Sequence, residues 1–274
     1  VVPVAAAESA PAVPALPVEP AAAPVPNAPT APAPASPDPP VPTPPPAPPA
    51  PAALPRPERA VPLPARALIS LELTFESNNY KVWATQRWEM VDGRYRIRLD
   101  AEAKALFFTL GSIALESSGT VSAAGLRPER YVDERNKRRT VVEFAGNEKS
   151  AHIEEASGNR RSVALAGQAA DIMSLTYDLA FDPEINIGAP FTLTNRDNVE
   201  EIRLVARRDE MLESEAGNLR TRFYEFRRPG GSGGIQVWIA LDNGSLPAKI
   251  RILGRDGALT MLATRYDLNP PDGR

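Results

Sequence analysis

The chain has 274 residues, no cysteine and a formal net charge of −3. The lack of cysteine excludes disulfides, thiolate metal sites and cysteine nucleophiles. The near-neutral charge offers no electrostatic basis for binding nucleic acid or an anionic membrane surface.

Residues 1–66 differ sharply in composition from the rest of the chain. They hold 24 of the 31 prolines, together with 19 alanines. Proline lacks a backbone N–H and disfavours helix and central strand, so such a segment adopts extended polyproline II structure at about 3.1 Å per residue. We therefore predict a disordered, semi-rigid Pro/Ala-rich linker over 1–66 and one β-rich globular domain over 67–274. Such a linker is typical of an inert spacer and of proteins that cross a cell-wall layer from a membrane anchor.

Membrane contact is expected only through a segment upstream of Val1. The longest uncharged apolar-rich run, Ala105–Leu115, falls short of the ~20 residues that a spanning helix needs and contains Gly111 and Ser112. The first residue is not methionine, which favours processing of a longer precursor or a missing N-terminal segment.

The domain has the alternating pattern of antiparallel strands. Apolar and polar residues alternate with a period of two in four windows, at 71–76, 95–100, 202–206 and 235–241. This pattern fits sheets with one solvated face. In the last window we expect Gln236 and Trp238 on the face opposite Ile235, Val237 and Ile239.

Turn signals separate these windows. Asp92-Gly93, Asn243-Gly244 and Asp256-Gly257 each lie beside or between alternating runs, and such dipeptides are strong short-range indicators of hairpins. Successive hairpins make a meander, and a long meander curls into a barrel or half-barrel.

One segment, 171–179, has helical spacing instead. Ile172, Leu175 and Leu179 lie on one face of a helix, and Asp171 is a suitable N-cap. The predicted fold is therefore mainly β: a curved antiparallel meander that forms a half-barrel or open barrel, with one short helix that plugs or caps it.

Four local patterns together resemble a family of bacterial periplasmic or envelope domains of unknown function. They are GLRPERY at 125–131, DIMSLTYDL at 171–179, AGNLRTRFYEF at 216–226 and WIALDNGSLPAKIRI at 238–252. The resemblance implies export, a β-rich curved sheet and, often, an N-terminal anchor. It transfers no catalytic residue.

No motif predicts catalytic, cofactor-binding or metal-binding residues. His152 is the only histidine and lies in a polar strand without a nucleophile-elbow motif. The run 135–139 predicts a polar hairpin face, with contact to phosphate or sugar-acid groups as the alternative. The glycine-rich stretch 230–234 lacks the Lys-Ser/Thr of a phosphate-binding loop, so we interpret it as a connection between strands.

One apolar cluster is a candidate ligand-binding site. Leu106, Phe107, Phe108 and Leu110 follow one another too closely for a single sheet face to bury them all. They are either core residues or the mouth of the curved sheet, where they would contact an amphiphile or a membrane.

These observations predict a non-enzymatic periplasmic domain of the cell envelope on a long tether, anchored to the inner membrane upstream of Val1. Its curved sheet would bind an amphiphilic ligand such as a lipid, or an envelope protein, with no cofactor and no nucleic acid. The first alternative is a scaffold or assembly factor that recognises a protein or cell-wall polymer through a sheet edge. The second is a hydrolase with a carboxylate pair.

Overall fold

The computed structural model describes residues 62–270 except 78–79, 106–107, 147–148, 182–183, 197, 232 and 255–256; of residues 104, 105 and 108–110 it describes the backbone alone. The predicted linker up to residue 61 lies outside this range. Leu63 is already buried in the core, and the Pro64 carbonyl accepts a hydrogen bond from Trp88 Nε1 at 2.7 Å. Leu63 and Pro64, just before the predicted start of the domain at residue 67, therefore pack against it.

The described chain forms one sheet of fifteen strands and one α-helix. The first eight strands are β1 Arg66–Phe75, β2 Tyr80–Val91, β3 Arg94–Ala105, β4 Phe108–Ser122, β5 Gly125–Arg135, β6 Arg138–Phe144, β7 Ser150–Glu154 and β8 Arg160–Ala164. The remaining elements are β9 Gln168–Asp171, α1 Ile172–Asp178, β10 Pro190–Asn195, β11 Asn198–Ser214, β12 Gly217–Arg227, β13 Gly234–Ala240, β14 Leu246–Gly254 and β15 Gly257–Leu268.

The strand order is that of two meanders joined at the first and last strands. It runs β8-β7-β6-β5-β4-β3-β2-β1-β15-β14-β13-β12-β11-β10-β9. Neighbouring described strands pair antiparallel, except β9 and β10, which are parallel because α1 lies in the connection between them. The sheet is open, with β8 and β9 at its two ends, so the predicted curved open sheet with one short helix is confirmed.

The predicted turns have the backbone geometry that their residues favour. Asp92 and Gly93 have φ angles of 49° and 71° and close the β2–β3 hairpin, as a type I′ turn requires. Gly244 lies in the longer β13–β14 turn with φ of 66°. β14 and β15 pair up to Gly254 and Gly257, while Asp256 itself lies outside the described residues.

The core lies on one face of the sheet, called here the inner face, and α1 packs against it. Asp171 caps the helix through a capping box, and Leu175 and Leu179 are buried as predicted. Tyr177 stacks on Trp88 at 4.8 Å between ring centroids, and Trp88 stacks on Tyr95 at 6.0 Å.

A second, smaller apolar cluster lies apart from this core. Trp238 packs there with Phe223 at 4.8 Å between ring centroids, and Leu219 is buried beside them. Lys249 Nζ lies 4.7 Å from the centre of the Trp238 ring, and Trp238 Nε1 donates to Glu210 at 2.6 Å. Trp238 is thus buried, although the simple alternation of its strand suggests a solvated face.

Candidate functional site

The hairpins sort the ends of the strands into two groups. The end of the sheet at which β1 begins, at Arg66, is called here the entry end, and the end at which β1 finishes, at Phe75, is the far end. Because consecutive strands are antiparallel, the β1–β2, β3–β4 and β5–β6 connections all lie at the far end. A ten-residue strand such as β1 separates the two ends by about 33 Å.

The helix occupies the inner face toward the entry end. Gln86 Nε2 donates to Tyr177 Oη at 3.0 Å, and the backbone N–H of Leu126, near the start of β5, donates to Asp178 Oδ1 at 2.7 Å. The inner face at the far end of β1 to β5 is not covered by α1, and a cleft of about 490 Å³ lies there.

The cleft has mostly apolar walls. Its lining includes Leu73, Phe75, Val82, Ala103 and Ile113. Each lies on the inner face of its strand: Leu73 pairs with Val82 across β1 and β2, and Ala101, beside Ala103 in the inward series of β3, pairs with Ile113 on β4. A cavity of this size and polarity is typical of small-molecule sites, which measure about 300–1,000 Å³.

One wall of the cleft is polar and held in place. The Arg135 guanidinium donates to the buried carboxylate of Asp133 through Nε at 2.9 Å and through Nη2 at 2.8 Å. Asn136 Oδ1 accepts a hydrogen bond from the Ser112 backbone N–H at 2.9 Å. Since the Asp133–Arg135 pair is formally neutral, this wall offers hydrogen bonds to a polar head group without selecting strongly for charge.

A buried polar network anchors the helix to the inner face. The Asp171 carboxylate accepts from Ser117 Oγ at 2.7 Å and from Ser174 Oγ at 2.9 Å, and Tyr95 Oη lies 3.1 Å from Ser117 Oγ. Burial raises the pKa of the Asp171 carboxyl above its ordinary value, against the hydrogen bonds that lower it. Burial also raises the pKa of Tyr95 well above its ordinary value. These hydrogen bonds therefore fix α1 in position, and burial keeps the Tyr95 phenol neutral.

Of the four predicted ligand-binding residues, Phe108 and Leu110 lie at the far end, at the start of β4. Leu106 and Phe107 are outside the described residues. Phe108 and Leu110 belong to β4 by their backbone, and Phe108 pairs with Ala105. The contacts of the four side chains stay a prediction.

His152 is exposed on the outer face of β7. Its cross-strand neighbours are Glu143 on β6 and Ser162 on β8, and its Nδ1 lies 2.8 Å from Ser162 Oγ. They border a depression of about 530 Å³. Ser162, His152 and Glu143 are the residue types of a catalytic triad. Acyl transfer by a triad also needs oxyanion donors and exclusion of water, whereas these three residues are exposed. We therefore interpret the contact as a surface hydrogen bond.

Sequence reasoning missed the cleft and the neighbours of His152. Alternation assigns Leu73 to an inward face, but Ile113 lies 40 positions away in the chain. Strand register brings Leu73 and Ile113 to one cleft. No local sequence pattern encodes the register between strands that are joined by long hairpins. Ser162 reaches His152 through the register of β7 and β8 in the same way.

No helix in the described part of the chain is long and apolar enough to span a membrane.

A family model with the description "Protein of unknown function (DUF3108)" matches residues 72–264, which include all four patterns on which the predicted resemblance rests. This match confirms a family of unknown function. No curated protein matches the chain. A solved structure, a "Beta-barrel-like Protein of Domain of Unknown Function DUF1849 from Brucella abortus", aligns over 76% of this chain and 98% of its own, with 9% identity and a TM-score of 0.47.

Proposed function

We propose that this chain, which belongs to the DUF3108 family of proteins of unknown function, binds the acyl chain of an amphiphile in its far-end cleft. In this proposal the domain is a non-enzymatic module of the cell envelope. The Pro/Ala-rich segment before it acts as a tether.

The observation that carries the proposal is the apolar cleft on the inner face. Leu73, Phe75, Val82 and Ile113 supply aliphatic and aromatic walls, and Arg135 and Asn136 supply a polar wall at one side. An amphiphile has the same division between chain and head group. Each methylene that moves from water into such a cleft contributes about 0.8 kcal/mol, so a chain of moderate length binds without any ion pair.

The position of the cleft fits a tethered domain. The chain enters β1 at Arg66, at the entry end, and the cleft lies at the far end. A periplasmic location is proposed on the composition of residues 1–66 and on the resemblance described above.

Partner recognition through a sheet edge is the second candidate, and one observation favours it. Among the described strands β8 has a single neighbour, β7, so its outer edge is free to pair with an extended peptide. Arg160 and Arg161 lie on this strand and form ion pairs with Glu154 and Glu155. Such charges are typical of edges protected against pairing, which makes this candidate weaker than the cleft.

A hydrolytic carboxylate pair has less support. Asp100 and Glu116 both bind Arg98, at 2.7 and 3.2 Å, and both carboxylates are half-buried. Asp209 and Glu184 both bind Arg222, at 2.7 and 3.3 Å. Carboxylates neutralised by a shared arginine are suited to structure rather than to general acid catalysis.

The test measures binding of octyl, decyl and dodecyl maltoside below their micelle concentrations, by displacement of a fluorescent apolar dye. Two added methylenes contribute about 1.6 kcal/mol, so affinity should rise roughly 15-fold from one member to the next until the chain fills the cleft. Ile113→Glu places a charge in the cleft and should reduce dodecyl maltoside affinity at least tenfold.

Val91→Glu is the matched control, because Val91 is exposed on β2 at the entry end. It should bind like the wild type. The proposal fails if affinity does not depend on chain length, or if the two variants bind alike while both keep the wild-type melting temperature. A partner that pairs with β8 would be unaffected by Ile113→Glu.

A further inference from the structure

Strands β2 and β3 separate before they reach the far end. Their pairing runs from the turn to Ala84 and Ala101 and stops there in the described register. Each strand nevertheless continues: β2 stays paired with β1 as far as Tyr80, and β3 stays paired with β4 as far as Ala105. A gap therefore opens within the sheet between Tyr80–Trp83 on one side and 102–105 on the other.

On its other side, the β3–β4 hairpin also extends past the end of its pairing with β5. The register of β4 with β5 ends at Ile113 and Arg135, with one further backbone hydrogen bond from Asn136 N to Ser112 O at 3.0 Å. Beyond that point the hairpin pairs only with itself among the described strands. The β4–β5 pairing ends where β5 itself ends, so the far end of the β3–β4 hairpin extends past its described pairing with β2 and with β5.

The gap borders the cleft. Tyr80 and Val82 line the cleft from the β2 side, and Ala101 and Ala103 line it from the β3 side. On the outer face of the same stretch of β2, Trp83 is 60% exposed, and Tyr80 at the mouth is 38% exposed. The stretch where β2 and β3 are unpaired therefore borders the cleft, with two exposed aromatic side chains beside it.

The residues beside the opening restrict what can pass. Ala101 and Ala103 on β3 and Gly111 on β4 have little or no side chain, so this side of the cleft is smooth. Val82 and Tyr80 oppose them on β2. A slot between two strands admits a slender flexible chain more readily than a rigid fused-ring body, and Trp and Tyr suit the boundary between apolar chain and polar head group.

We propose that the gap between β2 and β3 is a side entrance through which a single unbranched acyl chain enters the cleft. The polar head group stays outside, beside Trp83 and Tyr80. This inference rests on the proposed function and adds the class of ligand: linear single-chain amphiphiles are accepted, and sterol-like amphiphiles are rejected.

The chain has no cysteine, so an engineered pair can be cross-linked without side reactions at other thiols. Val82→Cys with Ala103→Cys places one thiol on each side of the gap. A bifunctional thiol reagent with a reducible linker then closes the entrance. The probe is a fluorescent linear fatty acid, and its entry and release rates are measured by stopped flow before cross-linking, after it, and after reduction.

We expect the cross-link to slow entry and release at least tenfold and reduction to restore both rates. Glu89→Cys with Arg96→Cys is the control, because these residues are register partners in the closed part of the same two strands. Its cross-link should leave the rates unchanged. If Val82→Cys with Ala103→Cys lowers the melting temperature, Trp83→Cys with Glu102→Cys spans the same gap on the outer face.

The outcomes separate the two proposals. Binding with unchanged rates after closure of the gap refutes the side entrance and leaves the cleft as a ligand site. Equal affinity for the fatty acid and for cholesterol hemisuccinate refutes the selection of linear chains. Lack of binding by the uncross-linked, folded protein refutes the proposed function, and the entrance with it.

Discussion

Replacement of Asp171 tests whether the buried network holds α1 against the sheet. Its Oδ1 accepts from the backbone N–H groups of Met173 and Ser174, each at 2.9 Å, and its Oδ2 accepts from two serine hydroxyls. Asp171→Ala removes the N-cap, worth about 0.5–2 kcal/mol, and hydrogen bonds to a charged acceptor, worth about 1.5–3 kcal/mol each. In Asp171→Ala the two serine hydroxyls keep other hydrogen-bond partners. Ser117 Oγ lies 3.1 Å from Tyr95 Oη, and Ser174 Oγ lies 3.3 Å from the carbonyl oxygen of residue 171.

We therefore expect Asp171→Ala to lower the free energy of unfolding by about 3–5 kcal/mol at pH 7, measured by urea denaturation followed by circular dichroism. Asp171→Asn is the matched comparison. Its carbonyl oxygen caps the helix, and its amide can donate to Ser117 and Ser174, whose hydroxyls can reverse direction. It should stay within about 1 kcal/mol of the wild type, because asparagine and aspartate are similar N-caps.

The same pair of variants reports on pH. Since burial raises the pKa of Asp171, the folded protein binds this proton more tightly than the unfolded chain does. In the window between the unfolded pKa and the higher folded pKa, the contribution of this group to stability decreases as pH rises. Tyr95 and Tyr131 face the carboxylate, and burial raises both of their pKa values, so they stay neutral there. Asp171→Asn should remove this contribution of residue 171 to the pH dependence of stability, because asparagine does not titrate. A loss below 1 kcal/mol for Asp171→Ala, or a pH dependence that Asp171→Asn leaves unchanged, would refute the reasoning.

Two further substitutions test the packing. Leu175→Ala should destabilise the domain by about 2–5 kcal/mol in urea denaturation, because Leu175 is fully buried in α1; a loss under about 0.5 kcal/mol would contradict its place in the core. Gly119→Ala should cost about 1–3 kcal/mol, because a Cβ at this position would overlap the Arg127 carbonyl oxygen in the neighbouring strand. Gly146→Ala, where a Cβ meets nothing within 4 Å, is the control and should change stability by less than about 0.5 kcal/mol in the same assay.

The elements that depend on local pattern could be predicted from the sequence. Alternation identified β1, β3, β11 and β13, and Asp171 with the spacing of Leu175 and Leu179 identified α1. Each of these signals acts within about ten residues, where side-chain period and capping determine the conformation.

Features that depend on the register between strands, or on packing between different strands, could not be predicted from local sequence patterns. The burial of Trp238 depends on Phe223 and Leu219, which belong to a different strand. The cleft depends on β1, β2, β3 and β4 meeting at one end, and its side opening depends on where the pairing of β2 with β3 stops. These outcomes are set by the twist of the whole sheet and by competition among many strand pairs.

The pairing of β1 with β15 has a consequence for how the domain is made. Ala67 is opposite Leu268, and Phe75 is opposite Leu259, so the middle of the sheet joins residues about 190 positions apart. During synthesis β1 is made before β15, so this seam can close only after the last strand has been made. Such distant contacts slow folding, and until the seam closes both strands expose edges that can pair with other chains. The seam between β1 and β15 is therefore the part of the sheet that stays open to wrong pairing for the longest time.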